Sequence, residues 1–91
     1  MKINIVELYR EIGKLFRENG AEQVALLSSK NLNNADCEMR LEIAADGSMN
    51  MKNIVEQCYK NWPQVEFVIY DLNNEENRYL IEEINEGGIV L

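Results

Sequence analysis

Asn4-Ile5-Val6-Glu7, near the start of the chain, recurs letter for letter as Asn53-Ile54-Val55-Glu56. A second shared segment follows each copy, Leu32-Asn33-Asn34 in the first half and Leu72-Asn73-Asn74 in the second. Because the same segments occur in the same order, the pattern predicts one helix-strand-strand unit used twice within a single domain, residues 1–91. The predicted halves are residues 1–47 and 48–91. Chance similarity is the alternative, since each match is short.

The first half is typical of a helix followed by two strands. Apolar residues at helical spacing predict an amphipathic helix over residues 3–19, and Asn19-Gly20 is a stop signal. Residues 22–30 predict a strand, and the polar cluster at residues 30–36 predicts a loop. Apolar and polar residues then alternate between positions 37 and 46. That alternation indicates a strand with one buried face.

The second half begins in the same way but ends in an ambiguous segment. Residues 50–62 predict a helix that Pro63 ends, and the β-branched and aromatic residues of 65–71 predict a strand. Downstream, the polar residues 73–76 and the terminal glycines suit a capped helix, whereas residues 78–81 suit a strand. The first half has a clear strand at the corresponding place, so the duplication favours a strand here.

The resulting order, αββαββ, predicts an α+β domain with two layers. Two helices would pack on one face of a four-stranded, mainly antiparallel sheet. A hydrophobic fraction of 46% in 91 residues is enough for one small core. No apolar run is long enough to cross a membrane, and no signal peptide is apparent, so we expect a cytoplasmic protein. Cys37 and Cys58 lie on predicted apolar faces and are expected to be free, buried thiols.

The charge balance points away from direct nucleic-acid binding. Sixteen acidic residues stand against nine basic ones, which gives a net charge of −7. A nucleic-acid-binding domain normally carries a basic surface. An acidic chain instead suits a basic partner protein, or a nucleic-acid-binding groove that its carboxylates could occupy. Solubility alone is the other explanation of the charge.

Most catalytic and metal-binding arrangements lack their residues here. The chain has no histidine, which removes triads and zinc sites that need imidazole, and no glycine-rich phosphate loop is present. Asp71, Asn73, Glu75 and Glu82 match part of a calcium-loop template, but Glu76 stands where the template needs glycine. We therefore expect no cofactor, no metal and no enzymatic activity.

The predicted sheet face opposite the helices is the remaining candidate site. It combines acidic side chains with apolar and aromatic ones, as interfaces do. Val24 and Leu26 would project from the same face, unless the facing of one strand is shifted by one residue. The candidate protein-binding residues are Glu38, Arg40, Glu42, Asp46, Glu66, Val68, Tyr70, Leu80 and Glu82.

In architecture, size and charge the chain resembles bacterial immunity and antitoxin proteins and small phage inhibitors of CRISPR nucleases. The resemblance rests on no matched residues, so it assigns no site. The acidic, partly apolar sheet face and the lack of a catalytic residue set lead to the main hypothesis, a non-enzymatic protein that neutralises a basic partner such as a toxin or nuclease. The alternatives are a nucleic-acid mimic that blocks a DNA- or RNA-binding enzyme, and a homodimeric structural subunit in which two apolar sheet faces pair.

Overall fold

A computed structural model describes residues 4–33 and 36–91. Residue 3 of the first predicted helix and residues 34 and 35 of the predicted loop lie outside the described residues. Three α-helices, one short 3₁₀ turn and a four-stranded sheet make an α+β fold. The elements are α1 (Ile5–Glu18), β1 (Ala21–Asn31), β2 (Met39–Gly47), α2 (Met51–Asn61), β3 (Val65–Asp71), a 3₁₀ turn (Glu75–Asn77), α3 (Leu80–Gly87) and β4 (Ile89–Val90).

The sheet is mixed, with the strand order β3-β2-β1-β4. β1 pairs antiparallel with β2 and with β4, whereas β2 and β3 run parallel. A parallel pair needs a crossover connection, and α2 supplies it between β2 and β3. Gly20 and Gly47 take positive φ angles of 100° and 105° at the turns that end α1 and β2.

The duplicated tetrapeptide does not occupy equivalent positions in the two helices. Asn4 is the N-cap of α1, and its Oδ1 accepts a hydrogen bond from the Glu7 backbone N–H at 3.1 Å. In α2 the N-cap is Asn50, so Asn53 lies inside the helix. The Asn53 side chain instead donates to Asn19 Oδ1 at 2.7 Å and links the two helices. The predicted pseudo-repeat is therefore not confirmed by the structure.

The main core lies between the sheet and helices α1 and α2. From α1 come Leu8, Ile12 and Phe16, and α2 adds Ile54 and Cys58, all buried. The sheet meets them with alternate residues of β2 and of its neighbour β3, so the predicted alternation of β2 is confirmed. These strand residues are Met39, Leu41, Ile43 and Ala45 of β2 and Val65 and Phe67 of β3.

The predicted fourth strand is wrong, because the segment after the 3₁₀ turn is helix α3. Leu80 and Ile84 lie one helical turn apart, which brings both onto the side of the helix that faces the sheet. Leu80 packs with Ala44 and Leu72 in a second, smaller cluster. Ala44 alternates with the main-core residues of β2, so α3 covers part of the opposite face of the sheet. The two-layer packing is therefore not confirmed.

The predicted facing of β1 is also wrong. Val24 and Leu26 were expected opposite the helices, but both are buried in the main core. The register between β1 and β2 shifts between Ala21 and Gln23. Such a bulge reverses the alternation of the residues that follow. Ala25, which projects to the other side, is also buried, so hydrophobicity alone could not reveal the facing.

Candidate functional site

The face of the sheet opposite α1 and α2 is open where α3 does not reach. We call this part the far face and define it by Arg40, Glu42, Glu66, Val68 and Tyr70. These five residues alternate with core residues on β2 and β3, and all are partly exposed. The parallel register places Arg40 beside Glu66 and Glu42 beside Val68. The alternation predicted from the sequence is therefore confirmed for these strands.

Two polar contacts fix the side chains of the far face. Arg40 Nε donates to Glu66 Oε2 at 2.9 Å, and these two side chains are 41% and 42% exposed. Tyr70 donates its hydroxyl hydrogen to Glu42 Oε1 at 3.0 Å. Each contact joins β2 to β3, so the polar groups are held in defined positions. Pre-positioned polar groups lower the ordering cost of binding.

The groups around the Tyr70 hydroxyl raise its pKa. The pKa of Tyr70 is raised above the ordinary value, mainly by the hydrogen bond to Glu42 and then by desolvation. The charges of Glu42 and Glu83, and that of Tyr79 once it is ionised, raise the pKa further. Ionised Tyr70 would bring a second negative charge beside Glu42, so the surroundings favour the neutral phenol.

Helix α3 contributes residues to this surface that sequence reasoning missed. Tyr79, immediately before α3, is 63% exposed, and Glu83 is exposed one turn further along. Tyr70 packs against the cluster that contains Leu80, so the start of α3, with Tyr79 and Glu83, borders the far face. The signal was present in the sequence: Leu80 and Ile84 have helical spacing, and Tyr79 and Glu83 share it. The expected strand concealed it.

Four of the predicted site residues do not belong to the far face as now defined. Glu38 precedes β2 at the end of the sheet, and Glu82 is exposed on α3. Asp46 accepts a hydrogen bond from the Gln23 backbone N–H at 3.0 Å, which assigns it a structural contact within the sheet. Leu80 is only 4% exposed and is buried between α3 and the sheet, so it cannot contact a partner.

The calcium-loop residues serve as turn formers. Asp71 Oδ1 accepts from the Asn73 backbone N–H at 2.9 Å, and Asn77 Nδ2 donates to the Asp71 carbonyl oxygen at 3.0 Å. Asn73 Nδ2 donates to the Gly47 carbonyl oxygen at 2.7 Å. Across residues 4–33 and 36–91, no group of three or more Cys, Asp or Glu side chains is arranged to hold a metal ion.

Both cysteines are free, as expected, but only one is fully buried. Burial raises the pKa of the Cys58 thiol to about 12, so thiolate chemistry at that residue is suppressed at neutral pH. Cys37 is half-buried.

No helix in the described part of the chain is long and apolar enough to cross a membrane. Comparisons with protein-family models, curated proteins and solved structures found no match to this chain.

Proposed function

We propose that this chain is a non-enzymatic acidic binding protein that neutralises a basic partner protein, in the manner of an immunity protein or antitoxin. The observation that carries the proposal is the far face with its border, where Glu42 accepts the hydrogen bond of Tyr70. Glu66 lies further along β3, and Tyr79 and Glu83 are exposed at α3. Acidic and aromatic side chains together suit a basic, arginine-rich surface.

The chemistry of the far face favours arginine as the contacting residue of the partner. A guanidinium group can bind a carboxylate through two parallel hydrogen bonds and can stack on a tyrosine ring. Tyr79 is well exposed for stacking, and Glu83 lies one turn away on the same side of α3. Arg40 already neutralises Glu66, so Glu42 and Glu83 carry more of the attraction.

Charge also sets how the complex would form. A net charge of −7 steers a basic partner toward the chain and accelerates encounter at low ionic strength. Salt screens this attraction over about 10 Å at 0.1 M, so the association rate should fall as salt rises. Of the apolar residues that would pair in a face-to-face homodimer, Val24, Leu26 and Leu80 are buried, which leaves less surface to support that alternative.

Affinity capture with charge-matched variants tests the proposal. The far-face variant combines Glu42→Gln, Glu66→Gln and Glu83→Gln. A control combines Glu11→Gln, Glu18→Gln and Glu56→Gln on the exposed surfaces of α1 and α2. Both lose the same net charge. A basic protein from the source cells should be retained by the unmodified chain and the control, and lost from the far-face variant.

Equal retention by the two variants, or the absence of any basic protein in the captured material, would contradict the proposal.

A competition experiment then distinguishes the two kinds of partner site. If nucleic acid displaces the chain from the captured protein, the chain occupies a nucleic-acid-binding groove as a mimic does. If both bind together, the chain blocks a different surface.

A further inference from the structure

Strand β3 forms an outer edge of the sheet, and no second strand of residues 4–33 and 36–91 pairs with it. The order β3-β2-β1-β4 leaves β3 with one neighbouring strand. Its register with β2 is unbroken from Val65 to Asp71, so no bulge turns the edge away. The opposite edge, β4, is only two residues long. Proteins normally protect long, regular edges because unpaired backbone groups recruit another strand.

The hydrogen bonds of the central strands show which backbone groups of β3 point outward. Beyond the end of β3, the Leu72 N–H donates to the Ala45 carbonyl oxygen at 2.8 Å. Bonded residues alternate along a parallel strand, so the even-numbered residues of β3 bond to β2. A second bond agrees: the Leu91 N–H donates to the Val24 carbonyl oxygen at 2.9 Å, so the next residue, Ala25, points to β2. Ala25 pairs with Ala44, which directs the even-numbered residues of β2 toward β1.

The odd-numbered residues of β3 therefore carry the outward groups, and internal contacts occupy the two at the ends. The Val65 N–H donates to the Trp62 carbonyl oxygen at 3.1 Å. The Asp71 carbonyl oxygen accepts from the Asn74 backbone N–H at 3.1 Å and from Asn77 Nδ2 at 3.0 Å. Val65 is only 1% exposed, so the groups that remain for a partner are centred on Phe67 and Ile69, each with its N–H and its carbonyl.

We propose that β3 pairs antiparallel with β3 of a second copy of this chain, about a two-fold axis at Val68. Phe67 then opposes the partner's Ile69, and the two exchange both backbone hydrogen bonds. The central backbone groups of the two strands thus pair completely in this register, and the end residues Val65 and Asp71, each with one group already bonded internally, oppose each other outside the exchange.

The side chains fit the same register. On the far face Val68 meets the partner's Val68, and Glu66, already paired with Arg40, meets the partner's Tyr70. No like charges lie directly opposite, which would be destabilising. On the helix side, Met51, Val55 and Tyr59 form an apolar hollow beside Phe67 and Ile69. Tyr59 is 53% exposed there, and the partner's α2 would approach this hollow across the axis.

The product is a continuous eight-stranded sheet with the two far faces side by side. This inference does not depend on the proposed function, and the two differ in how binding should depend on salt concentration. Each copy carries a net charge of −7, so screening should strengthen the dimer while weakening the capture of a basic partner.

Disulfide cross-linking tests the axis directly. In a Cys37→Ser background, Val68→Cys would bring two thiols together in a non-hydrogen-bonded pair with Cα atoms about 4.5 Å apart, within disulfide range. The control is Glu66→Cys on the same face, whose two copies would stand roughly 14 Å apart along the strands. We expect Val68→Cys to form cross-linked dimers at least about tenfold faster under mild oxidation. Equal rates would overturn the proposal.

The mass in solution is the second test. We expect the unmodified chain to approach the dimer mass in light scattering as concentration and salt rise. Val68→Lys places two ammonium groups at the axis and should halve the mass, whereas Val68→Thr should leave it unchanged. A monomer mass for the unmodified chain at high concentration and high salt would overturn the proposal. So would a folded Val68→Lys variant that remains dimeric.

Discussion

The two faces of the sheet differ in how their residues are used. The face under α1 and α2 is a continuous apolar core whose deepest side chains, such as Ile12, Leu41 and Ile43, are fully buried. The opposite face has a three-residue buried cluster under α3 and an open, polar remainder. The first face is built for stability. The second is held in place by the first and is free to carry charge and aromatic surface.

The difference explains why the far face tolerates acidic residues at the centre of a sheet. Glu42 and Glu66 project from the strands whose other side chains build the core. Burial of those apolar neighbours stabilises each strand by about 25 cal/mol per Å² of apolar surface. A partly exposed carboxylate beside a hydrogen-bond donor costs far less than a fully buried one.

The largest losses of stability are expected when one leucine packed at each face of the sheet is truncated. Leu41→Ala should lower the free energy of unfolding by about 4 kcal/mol, because a fully buried side chain leaves a cavity in tight packing. Leu80→Ala should cost about 2 kcal/mol, because the small cluster beneath α3 can collapse more easily. Urea unfolding measures both. Equal losses would show that the two faces are packed alike.

Gly13→Ala should give an intermediate loss of about 1 kcal/mol in thermal or urea unfolding. Alanine favours a helix by about 1 kcal/mol, but its Cβ would lie 2.8 Å from the backbone carbon of Leu91. Backbone cannot move aside cheaply, so the contact between α1 and the segment after β4 should suffer. Gly87→Ala in α3 is the matched control, because an added Cβ there meets nothing within 4 Å. A stabilised Gly13→Ala variant would show that the segment after β4 yields easily.

The ion pair on the far face should contribute little to stability. Arg40 and Glu66 are both partly solvated, and exposed pairs contribute about 0–1 kcal/mol. A double-mutant cycle with Arg40→Met and Glu66→Gln should give a coupling free energy of about 0.5 kcal/mol. A coupling several times larger would mean that the far face, too, is built for stability.

The smallest expected effect is the delayed ionisation of one tyrosine. The folded chain holds the Tyr70 proton more tightly than the unfolded chain, for which the ordinary value is 10.0. This contribution to stability is fully present below that pH and is lost as pH rises through the raised pKa. Ultraviolet titration should show one late phenol that disappears in Tyr70→Phe. Retention of that phase in Tyr70→Phe would place the perturbed tyrosine elsewhere.

The sequence predicted side-chain facing correctly where residues alternate regularly between the two faces of the sheet. The alternation along β2 predicted correctly on which side of the sheet Arg40 and Glu42 lie, because side-chain direction follows strand parity. It failed at β1, where a bulge near Gln23 reverses the parity of Val24 and Leu26. Burial of Ala25 on the other face removed the contrast that would have revealed the bulge.

The error after β3 had a different origin. The recurring tetrapeptide suggested matching halves, yet Asn4 caps α1 whereas Asn53 lies within α2. Asn74, which caps the 3₁₀ turn through a 3.1 Å bond to the Glu76 N–H, was a local signal for helical structure. Local capping and helical spacing should have outweighed short sequence identities, because hydrogen bonds and packing determine the conformation.

Titration of the ¹⁵N-labelled chain with a short arginine-rich peptide, followed by amide chemical shifts at low salt, tests the central claim most directly. The account predicts shifts concentrated at Glu42, Tyr70 and Glu83, with Glu11 and Glu18 on α1 little affected. The far-face variant should lose the response, and the charge-matched control should keep it. Shifts of equal size on both sides of the molecule would contradict the claim that the far face is the recognition surface.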